Sequence, residues 1–148
     1  MSITTAMCNS FKQELLGGIH DLDTHTIKVA LIKASPSGTY NASTTNYSDV
    51  TGNTDEASGT GYSAGGQGLD SPVISLSGST AIVDFADEVF STATVSADGC
   101  ILYNSSASNK AIAVIDFGGT KTSTNGDFTI VFPGGSSPDS TNAIIRIA

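Results

Sequence analysis

A chain of 148 residues is one domain by length, long enough to bury a core without a disulfide or a metal to staple it. Fourteen acidic residues against six basic ones give a net charge of −8, and the bases are scattered singly, so the Lys/Arg clusters that neutralise phosphates or anionic lipid are missing and both nucleic acid and membrane are disfavoured as partners. Only 14% of the residues are charged, against about 25% in an average domain, and Ser, Thr, Gly and Asn fill the difference, a mix that suits short strands joined by turns.

In chain order, the N-terminal stretch lacks the basic and apolar regions of a signal peptide. Met7, Phe11 and Leu15 recur at i, i+4 and i+8, with Ile3 a turn earlier, and predict a helix over about 4–16 that Gly17-Gly18 stops. That narrow stripe must lie on the chain's own sheet or on a neighbouring subunit. "TIKVALIK" alternates as a half-buried strand. A long polar region, about 34–69, follows; it either hides short strands or forms an ordered arm that grips a partner. "SPVISL", "TAIVDFA", "VFSTATVS", "CILYN", "AIAVIDF", "DFTIVF" and "NAIIRIA" then read as strands, separated by turn signals such as "SGST", "ADG", "SSASNK" and "GGTKTSTNG". "AIAVIDF" is apolar on both faces and predicts a central strand. The expected fold is mainly β: a single domain over 1–148, an antiparallel β-sandwich or barrel-like body (26–148) of about eight strands, with one N-terminal α-helix.

Few residue patterns point to chemistry. "SGTGYSAGGQG", Ser58 to Gly68, fits the letters of a dinucleotide-binding turn, but no strand precedes it and "GGQGLDSP" cannot start the helix whose N-terminus would face a pyrophosphate. His20, Asp21, Asp23 and His25 have side chains that bind zinc, yet they fall in a turn where polar residues are expected in any case. Asp84, Asp87 and Glu88 match no calcium loop and read as an acidic turn. Both histidines lie in one turn and no G-x-S-x-G occurs, so no nucleophile has an evident base. Cys8 and Cys100 read as two free buried thiols, with a disulfide as the alternative. Sequons at Asn41, Asn46 and Asn104 carry little weight without a secretory signal. Tyr40, Tyr47 and Tyr62 lie in the polar region, either as interface anchors or packed on their own domain. With Met7, Phe11 and Leu15 they are the candidate partner-contact residues. No catalytic, cofactor-binding or metal-ligating residue is nominated, and no cofactor is expected.

The blocks "TTAMCNSFKQELLGGIH", "SGTGYSAGG", "ILYNSSASNKAIAVIDFGG", "GDFTIVFP" and "NAIIRIA" resemble a family of small virion structural proteins of tailed bacteriophages, notably phages of marine and freshwater bacteria. The resemblance spans nearly the whole chain and is poorest over Ala34 to Glu56. Some members of that family are described as head decoration or cement proteins. It implies a non-enzymatic, β-rich homo-oligomer, made in the host cytoplasm and carried on the outer capsid surface, with the major capsid protein or further copies of itself as partners and no small-molecule substrate. A tail, connector or fibre-associated protein, and a carbohydrate-binding or hydrolytic virion protein, are the alternatives.

Overall fold

The computed structural model describes residues 2–148. Its backbone is two long strands folded on each other, to which everything else is added. β8 (Glu88–Asn104) and β9 (Lys110–Ile130) pair antiparallel from Glu88↔Ile130 to Asn104↔Lys110. They are joined by a short 3-10 turn, Ser105–Ala107, after which Ser108 and Asn109 take left-handed φ. β3 (Ile27–Lys33) lies on the other side of β8, β2 (Ala6–Met7) on the outer side of β9, and β5 (Gln67–Gly68) beyond β3, giving a five-stranded sheet in the order β2-β9-β8-β3-β5. A second sheet, β10-β7-β6, is built from β6 (Val73–Ser77), β7 (Thr80–Asp84) and β10 (Ile145–Ile147). β1 (Ser2–Ile3) and β4 (Thr39–Tyr40) form a small parallel pair. The result is mainly β and sandwich-like, and it is not a closed barrel.

Val29, Leu31, Phe90, Ile101 and Val114 of the large sheet share one core with Val83 and Ile145 of the small one. β9 runs between β2 and β8 through Ala113 and Val114, so the doubly apolar "AIAVIDF" is central as its pattern predicts. Cys8 and Cys100 are both buried free thiols, and burial pushes each up to about 12, so neither is a thiolate near neutrality.

Two expectations need correction, and of the two readings of the polar region the one with hidden short strands holds. The helix, α1, spans only Asn9–Leu16; Ile3 and Met7 are in strands, because the Thr-rich start is extended and its amides find partners in the sheet. Ser2 N donates to Gly38 O, Thr4 N to Tyr40 O and Cys8 N to Ile112 O. The turn signals "ADG" and "GGTKTSTNG" do not reverse the chain. Between Gly99↔Asp116 and Ala97↔Lys121, β9 carries Phe117–Thr120 against the single Asp98 of β8, a wide excursion in an otherwise continuous ladder. Asp98 holds it, accepting from Thr120 Oγ1 at 2.5 Å and from Ser35 N at 2.8 Å. The polar region, finally, folds back on its own body. It contains β4, a short helix α2 (Ser48–Gly52) and β5, and it buries Tyr40, Val50, Asp55 and Ala57.

Candidate functional site

The polar region is fixed by two adjacent acids whose side chains serve different halves of it. Asp55 is fully buried. Its carboxylate accepts from Ser37 N (2.9 Å), Ser37 Oγ (2.8 Å), Gly38 N (2.7 Å) and Tyr40 OH (2.6 Å), with Lys33 Nζ at 3.1 Å. Burial alone would raise its pKa, but the donors of Tyr40, Ser37 and Gly38 outweigh it and hold the carboxyl well below the usual range. Glu56 accepts from Tyr47 OH (2.5 Å), Tyr62 OH (2.8 Å) and Gly65 N (2.6 Å). Tyr62 OH in turn accepts from Leu31 N at 2.9 Å, and Tyr103 OH donates to Gly65 O at 2.6 Å. Tyr47 stacks on Tyr103 with ring centroids 4.5 Å apart. Burial, then the neighbouring acids, push Tyr40 up to about 12 and Tyr47 and Tyr62 higher still. These phenols therefore stay protonated donors, and the hydrogen bonds tie the cluster into a structural framework.

"SGTGYSAGGQG" is part of the same framework. Gly59 and Gly61 press on β8 and Gly66 on β3. A Cβ at Gly59 would overlap Thr94 O, one at Gly66 would overlap Val29 O, and one at Gly61 would lie 2.7 Å from Ala93 Cα. All three have positive φ. The glycines let the loop lie flush on the sheet, and Tyr62 is the plug that pins it. No helix follows, so the nucleotide reading fails on geometry as it does on sequence.

The "HDLDTH" turn is also internal. Asn104 Nδ2 donates to Nδ1 of His20 (3.0 Å) and of His25 (2.9 Å), while Asn104 Oδ1 accepts from Ser106 N. Both imidazoles thus face a shared amide donor, and Asp21 caps its own turn through Asp23 N and Thr24 N. Among the described residues no three His, Cys, Asp or Glu side chains come together to hold a metal.

Of the nominated contact residues, Phe11, Tyr40 and Tyr62 are buried in the chain's own core, while Tyr47, Leu15 and Met7 pack against it half-buried. As partner contacts, Phe11, Tyr40 and Tyr62 are corrected: their surface is spent inside the domain.

The surface free to bind lies elsewhere. Between α1 and the small sheet runs a groove of about 470 Å³, walled by Phe11 and Leu15 on one side and by Ile74, Val83, Ile145 and Ile147 on the other. Register explains that wall. Ile145, Val83 and Ile74 stand in one row across the sheet and Ile147, Ala81 and Leu76 in the next, all on one face. Ile145 and Val83 are buried, but Leu76 is 73%, Ile74 51% and Ile147 44% exposed. At the end of α1, Leu16 is 92% exposed and Ile19 follows it, also exposed. The open aliphatic surface around this groove is the candidate contact face of the domain. In the sequence, "SPVISL" reads as a strand, and nothing in it says that its sheet lacks a cover. Leu16 sits one residue off the helical stripe, which is the one local sign that it points elsewhere.

Comparison with family models, with curated proteins and with solved structures finds no match for this chain.

Proposed function

We propose that this chain is a non-enzymatic virion structural protein of a tailed bacteriophage, a decoration or cement protein that sits on the outside of the head and stabilises the shell. The observation that carries the proposal is the open aliphatic face around the α1 groove, on a domain whose tyrosines and buried acids are tied into its own loops. The family resemblance of the sequence blocks supplies the virion and the head. The major capsid protein is the partner it implies, with further copies of the chain beside it. A protein of this kind works by binding energy alone. It stabilises the assembled shell by mass action because it binds that state and not the dissociated subunits, and many copies at repeated sites add up. The stiff polar framework favours such a role, since little of the contact surface has to be ordered on binding.

Cryo-electron microscopy of the virion that carries this chain tests the reading. The expected density is a knob on the outer head surface with the groove face turned to the capsid. Density on the tail would replace the proposal with the connector or fibre alternative. Absence from purified virions, together with glycan binding or turnover in solution, would replace it with the carbohydrate-directed one.

A further inference from the structure

A second contact surface lies on an edge of the fold, at right angles to the groove face. β6 is the outer strand of the small sheet, and among the described residues no strand pairs with its far side. Strand edges of this kind are usually blunted by lysine, proline, a bulge or an inward charge. Val73–Ser77 carries none of these, and Pro72 falls just before it. Val73, Ile74 and Leu76 are all exposed.

The hairpin turn determines which backbone groups are free. Ser77 and Thr80 are joined through Gly78-Ser79, a two-residue connection with Gly78 at φ +63°. Such a turn is closed by a pair that exchanges both hydrogen bonds, and bonded and non-bonded pairs then alternate along the ladder. Ser77, Ser75 and Val73 therefore bond to β7. The N–H and C=O groups of Ile74 and Leu76 point outward.

That spacing is self-complementary. Laid antiparallel on a second β6 with Ser75 opposite Ser75, the strand sets Ile74 opposite Leu76 twice, and the four outward N–H groups meet four outward C=O groups. The aliphatic pairs fall on the groove face and extend it across the junction. Charge favours the same place. Two copies of a chain at −8 repel, but Ser71–Val83 is a run of 13 residues without a charge, so this edge brings the fewest acids together. We propose that the partner of the β6 edge is a second copy of this chain, in a two-fold dimer that joins two small sheets into one of six strands. The dimer does not depend on what the groove face binds, but it would present two such faces side by side.

Sedimentation velocity tests this from roughly 10 µM to roughly 1 mM, a range chosen because a five-residue edge is smaller than a standard stable interface. The wild type is expected to pass from monomer to dimer. Leu76→Lys should stay monomeric throughout with unchanged circular dichroism and melting temperature. Ser75→Cys adds a positional readout: opposite residues at a non-bonded antiparallel site lie about 4.5 Å apart at Cα, within disulfide range. The native thiols are buried and do not compete. Under mild oxidation Ser75→Cys should cross-link about tenfold or more faster than Ser79→Cys in the turn, because pairing raises the local thiol concentration. A wild type that stays monomeric at the highest concentration, a Leu76→Lys that dimerises like wild type, or equal cross-linking of the two thiol variants would each overturn the proposal.

Discussion

Asp55→Asn should be among the most damaging isosteric changes in this chain. The substitution keeps the shape and turns one acceptor oxygen into a donor amide. If the amide takes the Oδ1 position, it faces Ser37 N, Ser37 Oγ and Lys33 Nζ, three donors. If it takes Oδ2, it faces Gly38 N and Tyr40 OH. The second choice is the milder, because the phenol can rotate and accept. Even there the Gly38 N–H is left without an acceptor, and its neighbours lose the charge that strengthened their bonds. One orphaned donor costs about 1–3 kcal/mol, and hydrogen bonds to a charged group are about twice as strong as neutral ones, so a loss of about 2–4 kcal/mol is expected. That is a large part of the roughly 5–15 kcal/mol that holds a domain together. Lys33 limits the damage, since its ammonium also donates to Thr54 O and is partly in water. Urea denaturation at neutral pH measures the loss as a lower midpoint at unchanged slope. The pH dependence separates this mechanism from a general loosening. Asp55 titrates below its ordinary value in the folded chain, so its contribution is complete above that value, near 3.8, and is lost as pH falls through the folded pKa. The gap between wild type and Asp55→Asn should therefore be widest near neutrality and narrow in acid. A loss under about 0.5 kcal/mol, or a gap that does not change with pH, would refute the framework role, since surface substitutions alone fall in that range.

Three more outcomes follow from the same structure. Gly66→Ala should cost more than about 3 kcal/mol or prevent folding, because the new Cβ overlaps Val29 O at a positive φ; Gly78→Ala, in open space at a similar φ, should cost only about 1–2 kcal/mol, with thermal melts giving the ratio. Phe11→Asp should unfold the domain and not release soluble monomers, because Phe11 is fully buried beside His20; loss of the circular dichroism signal distinguishes the two. His20 is held below its usual pKa of 6.5, chiefly by burial and then by His25 and Lys110, against the pull of Glu14. The stability it lends is thus present above 6.5 and is lost as pH falls, so the melting temperature of wild type should drop more steeply from pH 7 to pH 5 than that of His20→Gln.

The sequence carried the class of the fold and most of its strands, because alternation reports which face of a strand is buried. It misread where strands end. "ADG" and "GGTKTSTNG" hold the residues a turn needs, but a bulge needs them too, and only the pairing of β8 with β9, tens of residues apart, decides between them. "SSASNK" holds the same residues and does reverse the chain, with Ser108 and Asn109 at positive φ. The tyrosines were visible as a group, and their role was not. Tyr40, Tyr47 and Tyr62 find their acids, 6 to 15 residues away, only once the polar region has folded, so no residue pattern distinguishes an anchor for a partner from a pin for a loop. The groove face was hidden for the opposite reason. A half-buried strand and an uncovered one have the same pattern, and the difference is what packs on them.

The excursion of β9 opposite Asp98 also bears on how such a chain can change its length. Gly118 and Gly119 touch nothing that an added Cβ would meet, and their four-residue detour already lies outside the ladder that sets the register on either side. Extra residues spliced between them would leave Gly99↔Asp116 and Ala97↔Lys121 where they are. The longest hairpin of the molecule therefore contains its own insertion point, at which a peptide or a whole domain could be displayed without disturbing either half of the sheet.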